Sequence, residues 1–476
     1  MTAATAPDLP AGAASSPWLA GEYAPVPDEI EAVDLPVQGA LPPGLSGRYF
    51  RNGPNPPPGQ ASAHWFTGDG MVHGIRIADG RAHWYRNRWV RTRRLEGHPY
   101  FDGTRFDLTS VPANTHVVAH AGKILALVES GFPYVLTPEL STEGPDDFDG
   151  RLKTPMTAHP KRDPDTGELH FFGYSPMPPF LTYHRLSPHG ELVHSRAVSV
   201  RSPTMMHDFA VTRRHVLWLD LPMTFQRALV ASGMPYGWDE GYGARIGVMP
   251  QDEAGGPGGD GAVQWFEIDP CYVFHTGGAH EDPAGRIVLD GMRYAQPDML
   301  RLWSAIGSGS GQPDRAAQVP QGDAAKTPAA APGIARLHRW TLDPATGRVH
   351  EEQLDDAGGE FPTQDSRRVG RESRYRYVAA ADGSIVKYDL QTGARTMHPL
   401  AGNASPGEPF FVAASGSDGR AEDDGWLLSL TATRDGSASQ LLVLDAGDVA
   451  APPVAVIELP RRVPAGFHGS WIADPV

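Results

Sequence analysis

The chain has 476 residues, 41 basic and 56 acidic, for a formal net charge of −15. An acidic balance without a Lys/Arg block excludes a broad nucleic-acid surface, which works by clustering cations against phosphates. A single cysteine, Cys271, excludes a disulfide framework and a cysteine-based zinc site, and reads as a small buried hydrophobe.

In chain order, residues 1–25 lack the basic and apolar regions of a signal peptide and are expected to form a disordered tail. No run of about 18 apolar residues follows, so a soluble, cytoplasmic protein is expected, with residues 26–476 as one catalytic domain. "RNGPNP" and "TGDGM" read as structural turns. The strand candidates "KILALVE", "LHFFGYS", "HVLWLDL", "GRIVLDGMRY", "SIVKYDL", "WLLSLTA", "QLLVLDA" and "VAVIELP" are short and rich in β-branched or aromatic residues. Between them a turn recurs at Asp163–Gly167, Asp343–Gly347 and Asp389–Gly393, with a looser relative at Leu186–Gly190. Asp bonds the backbone ahead of it and Gly accepts a positive φ, so each closes a hairpin. Repeated hairpins suggest β-propeller blades, although a sandwich-plus-barrel arrangement stays open on pattern alone. The best helical stretch is Thr224–Gly233, and residues 304–332 and 415–425 read as surface insertions, the first of them mobile.

Of 19 histidines, four sit among small or apolar neighbours: His159 in "PMTAHP", His207 in "PTMMHDFAV", His275 in "YVFHTG" and His468 in "AGFHGSW". They are too far apart for one helix or hairpin, so only a convergent fold would bring them together, as a propeller does when inner strands line a common axis. Imidazole suits iron, zinc, copper or nickel, and neutral ligands call for carboxylates on their outer nitrogens. Glu129, Glu360 and Glu408 lie in matching apolar settings, where an unpaired carboxylate is costly.

Ten segments, from "GRYFRNGPNP" through "ANTHVVAHAGKILALVESGFPY", "MMHDFAVTRRHVLWLDLPM" and "YVFHTGGAHEDPAGRIVLDGMRY" to "GEFP", "GEPFF" and "GFHGSW", carry a likeness. By these the chain resembles the carotenoid cleavage oxygenases, non-haem iron enzymes that include stilbene-cleaving dioxygenases and the retinoid isomerase of the eye. The likeness runs from about Gly47 to Trp471. It implies a seven-bladed β-propeller with an α-helical and loop cap over one face, enclosing an apolar substrate tunnel. It implies that His159, His207, His275 and His468 hold one Fe(2+) per chain. Glu129, Glu360 and Glu408 would hold the last three imidazoles, with His159 unpaired. His280 competes with His275, but the family ligand directly follows an aromatic residue. Thr115 would crowd an open iron position, and Phe66, Phe274 and Val128 would bind substrate. Thr67, where an acidic residue is common, and Gly277–Gly278, where bulkier residues are usual, depart from the family and should alter only loop packing.

The resemblance implies O2-dependent cleavage of a conjugated C=C bond to two carbonyl products. Stilbene-cleaving members carry a lysine before the first of those glutamates; Val128 stands there and favours a carotenoid or apocarotenoid. Hydroxystilbene cleavage, with Tyr100 as a phenol anchor, is the alternative, and a propeller that only binds a hydrophobic ligand is a third reading. The 224–233 stretch, followed by "MPYGW", would allow the cap to touch membranes peripherally when collecting a lipophilic polyene.

Overall fold

The computed structural model describes residues 17–60, 62, 64–251, 263–307, 334–414, 416 and 421–474. Each of the eight strand candidates forms a strand, and the recurring turns close hairpins between them. Asp163, Asp343 and Asp389 each accept the backbone N–H two residues ahead, at 2.7, 2.9 and 3.1 Å. Gly167, Gly347 and Gly393 take φ of 74°, 72° and 72°, where a side chain would strain the backbone. Their N–H groups return to the aspartate carbonyls at 2.9, 2.8 and 2.8 Å.

The described chain is mostly β, in sheets of five, four, four, two, six, seven and four strands. The seven-stranded sheet hinges on one long strand, Arg348–Thr363, whose first half pairs with Arg336–Asp343 and whose second half pairs with Tyr375–Ala380. Both ends of the chain pair far from their neighbours in sequence. The C-terminal strand Gly469–Ala473 pairs with Gly47–Pro54, and the early strand Val37–Gly39 pairs with Ala455–Glu458.

Successive sheets share their cores in chain order. Phe50 and Val72 pack with Val117 and Ala126 of the next sheet, and Leu125 and Leu127 pack with Phe171 and Leu186 of the one after. Phe172 and Tyr183 then meet Phe209 and Trp218, the last two stacked at 5.7 Å between ring centres. Tyr377 and Ile385 pack with Phe411 and Leu427, and Leu428 and Val443 come back to Tyr49 and Ile75 of the first sheet. Alternating strands buried on both faces by neighbouring sheets explain why these segments are nearly continuous apolar runs. No helix of the described residues is long and apolar enough to cross a membrane.

Several expectations are corrected. Residues 17–25, assigned to a disordered tail, carry two short 3-10 turns, Pro17–Leu19 and Gly21–Tyr23, and the Trp18 indole donates to the Ser62 carbonyl at 3.0 Å. Residues 1–16 lie outside the described residues. Thr224–Gly233 is not an α-helix: strand Met223–Phe225 pairs with Tyr236–Trp238, and between them Arg227–Ser232 makes a 3-10 turn that Gly233 ends at φ 87°. "RNGP" is the buried end of strand Gly47–Pro54 rather than a turn, because Asn52 turns its amide to the Ala113 carbonyl at 2.9 Å. Ser304 and Ala305, read as the start of an insertion, end the α-helix Gln296–Ala305; residues 308–332 lie outside the described residues, as do 415 and 417–420. Gly277 and Gly278 sit inside a strand, and the space a side chain would need is taken by the fully buried Arg376 at Gly277 and by Gln364 and Arg376 at Gly278. Cys271 is buried and free, its thiol pushed up to about 12 by burial.

Candidate metal centre

The four singled-out histidines occupy equivalent places in four different sheets. His159 and His207 stand two residues before the edge strands Lys161–Arg162 and Phe209–Val211, His275 lies in the edge strand Tyr272–Glu281, and His468 directly precedes the edge strand Gly469–Ala473. The fold therefore brings together imidazoles separated by up to hundreds of residues. The His159 ring lies 4.4, 5.2 and 4.6 Å between centres from those of His207, His275 and His468. His275 and His468 are 4.8 Å apart by the same measure.

Carboxylates stand behind three of the rings. Glu129 Oε1 pairs with His207 Nδ1, Glu360 Oε2 lies 2.7 Å from His275 Nδ1, and Glu408 Oε1 lies 3.1 Å from His468 Nδ1. An Nδ1–H given to a carboxylate leaves the Nε2 lone pair free and fixes the ring's orientation. His159 Nε2 comes within 2.8 Å of His207 Nε2, and no carboxylate hydrogen-bonds His159 among the described residues. The glutamates are themselves held. Tyr174 donates its hydroxyl to Glu129 Oε2 at 2.6 Å, and the backbone N–H groups of Phe361 and Gly469 bond Glu360 and Glu408, each at 2.7 Å. Phe361 takes φ 56°, a left-handed conformation costing roughly 1–2 kcal/mol, and stacks on His275 at 5.1 Å.

The electrostatics favour a neutral His159 and an ionised Glu408. Burial, then the neighbouring His207, His468 and His275, drives His159 well below the ordinary imidazole value. Burial would raise Glu408, but His468 beside it prevails and holds the carboxyl below its usual value. Burial first, and Glu129 second, push the Tyr174 hydroxyl well above the usual phenol range, so it stays a donor.

The residues fit a divalent transition metal. His275 Nε2 is buried with no hydrogen-bond partner, a lone pair otherwise without purpose. Ligand atoms of His159, His275 and His468 all lie within 4.8 Å of one another, as do those of Glu129, His159 and His207. Nitrogens about 2.1 Å from a shared ion would stand roughly 3–4 Å apart, within that spread.

The rings of His207, His275 and His468 line a cavity of about 1370 Å³, whose wall includes Trp65, Tyr236 and Phe467. Thr115, Val128, Phe66, Phe274 and Tyr100 also line it. Phe274 packs edge-on against His207 at 5.1 Å and against Phe66 at 5.9 Å. Thr115 donates to Asn114 at 3.0 Å, and Tyr100 donates to the Ser130 carbonyl at 3.0 Å. His280 faces a different, polar cavity together with Arg213 and Arg371.

Two residues beside the cluster, one of them buried, escape the sequence reading. His116 has Nδ1 2.9 Å from the Ala158 carbonyl and Nε2 3.0 Å from Ser470 Oγ, and burial with His468 lowers it to about 4. It follows Thr115 in "ANTHVV", so the filter of apolar company would have found it. Asp208 lies next to His207 and pairs with Lys161 at 2.8 Å.

Known proteins resemble this chain over nearly its whole length. A carotenoid cleavage oxygenase of Mycobacterium tuberculosis is 37% identical, over 97% of this chain and 98% of that protein. The solved structure of cobalt-substituted Synechocystis apocarotenoid oxygenase covers 96% of this chain and 98% of its own, at TM-score 0.79 and 30% identity. That of a lignostilbene dioxygenase from Pseudomonas brassicacearum covers 97% and 99%, at TM-score 0.83 and 29% identity. Because the family model described as retinal pigment epithelial membrane protein also matches residues 23–473, the chain belongs to that family, the carotenoid cleavage oxygenases.

Proposed function

We propose that this protein is a non-haem Fe(2+) dioxygenase that cleaves one conjugated double bond of a carotenoid or apocarotenoid. The observation that carries the reading is the convergence of four imidazoles, three backed by carboxylates, beside a large, mostly apolar cavity. The fold assigned to it is a seven-bladed propeller forming one domain from residue 26 onward. With the two-stranded sheet set aside and the seven-stranded sheet divided at Arg348–Thr363, the sheets number seven, which supports this reading, as does the return of the last core to Tyr49 and Ile75.

His159, His207, His275 and His468 are the proposed ligands, with Glu129, Glu360 and Glu408 holding the last three rings. Bound there, Fe(2+) would supply O2 activation, since four neutral ligands leave two positions of an octahedron. The chain's residues do the rest. Thr115 narrows the space beside the cluster, Phe66 and Phe274 hold a flat polyene over it, and the aromatic wall excludes water. Breaking the C=C bond and delivering one oxygen atom to each carbon consumes all of O2 and gives two aldehydes, so no external reductant is required.

The reading is tested by loading the purified protein with Fe(2+) without air, then adding O2 and β-carotene, apocarotenals or hydroxystilbenes, with products identified by mass. About one iron per chain and aldehydes from a polyene are expected. Aldehydes only from hydroxystilbenes would select the alternative substrate. Apocarotenoid bound by the iron-loaded protein without cleavage would make it a ligand-binding propeller.

Phe101, Phe106, Met177 and Val230 are exposed and all line the same cavity. An apolar rim of this kind fits peripheral contact with a bilayer holding the substrate. Serine at Phe101, Phe106 and Met177 together should largely abolish co-flotation with lipid vesicles, each substitution removing roughly 1.5–3 kcal/mol of apolar transfer where the side chain is fully inserted. Unchanged flotation would remove the membrane from the reading.

A further inference from the structure

The proposed ligands come from separate sheets, and the hydrogen-bond ladders do not hold them in mutual register. His207 and His275 belong to edge segments of different sheets, and the ladder beside His275 is irregular between Val273 and Thr276 and again between Thr276 and Gly278. The backbone next to His275 is therefore free to shift unless something outside its own sheet fixes it.

Asp208 does this. Its Oδ2 accepts the backbone N–H and the hydroxyl of Thr276, each at 2.8 Å, and its Oδ1 accepts the Phe209 N–H at 2.8 Å. The same Oδ1 lies 2.8 Å from Lys161 Nζ. Thr276 follows His275, Asp208 follows His207, and Lys161 stands two residues beyond His159. One buried carboxylate thus bonds three of the four histidine-bearing segments, and the Lys161 ammonium offsets the cost of its burial.

We infer that Asp208 is a positioning residue of the metal centre, setting the separation of the His159, His207 and His275 imidazoles without touching the ion. The inference rests on the metal-binding reading above. A residue that fixes the relative placement of three ligands should change how well a metal is held and the ligand field it experiences, beyond any effect on folding.

The test uses Co(2+) as probe, with affinity from competition against a chelator, visible ligand-field absorption as the spectroscopic signature, and melting temperature with and without metal. Asp208→Asn keeps the size but sets an amide against the Lys161 ammonium. It should weaken Co(2+) binding by about 10-fold or more, alter the absorption band and shrink the metal-induced rise in melting temperature. Wild-type affinity and spectrum in this variant would overturn the inference, even if the metal-free protein melted lower. Should Asp208→Asn fail to fold, Thr276→Val removes only one donor to the same carboxylate. A displaced absorption band is expected there, and an unchanged band with unchanged affinity would overturn the inference equally. Failure of the wild-type protein to bind Co(2+) would instead refute the metal-binding reading.

Discussion

His207→Ala should reduce divalent-metal affinity by more than about 100-fold, because loss of an outer partner alone costs about 10–100-fold in such sites and this change removes a proposed ligand. Cleavage should fall with it, since the set loses the His207 nitrogen whose ring Glu129 orients. The fold should survive. The vacated space opens on a cavity of about 1370 Å³ that Glu129 already lines, so water can solvate the carboxylate in place of the ring. Tyr174 continues to donate to Glu129 Oε2. The stability loss is then of order 1–3 kcal/mol, that of disturbing one buried polar pair. Elemental analysis of purified protein, alongside far-ultraviolet circular dichroism, separates the effects. Full metal occupancy in a folded variant would remove His207 from the ligand set, whereas loss of the β spectrum would make it a structural residue.

The elements of the fold were legible where local chemistry determines them. Each Asp-x-x-Thr-Gly turn predicts its hairpin because the aspartate bond and the positive φ of glycine are both set within five residues. The stretch at 224–233 failed for the opposite reason. Its apolar residues suit a helix, but Gln226 N–H bonds the Pro235 carbonyl and Met223–Phe225 finds a partner strand beyond Gly233. Tertiary pairing overrode local propensity. At the site, histidine in apolar company was a usable signal, and His275 was separated from His280 only through family likeness; the structure sends the two into different cavities. Asp208 was not legible as a support because Thr276, whose N–H and hydroxyl it accepts, is 68 residues away. A polar residue's purpose cannot be read locally when the groups that define it lie on another sheet.

Substrate class gives the second large effect. Val128 is buried, packs with Phe50 and Val72, and presents an apolar wall to the cavity immediately before Glu129. In Val128→Lys, the stem can follow that wall, but the ammonium reaches a mostly apolar space and must find an anion or stay poorly solvated. Glu129 is the neighbouring acid, and it already serves His207 and Tyr174. A lysine there therefore charges the path of a polyene and competes for the carboxylate that orients a proposed ligand. Cleavage of an apocarotenal should fall about 100-fold in kcat/KM, or roughly 2.7 kcal/mol of transition-state stabilisation. A hydroxystilbene brings a phenolic oxygen for the new cation, and the Tyr100 hydroxyl in the same cavity offers a second polar contact. Its cleavage should rise from background. Val128→Met separates charge from bulk: comparable in length and apolar, it should retain most apocarotenal cleavage and gain no stilbene activity. Apocarotenal turnover unchanged by Val128→Lys, with no stilbene cleavage gained, would show that selection is made elsewhere along the aromatic wall.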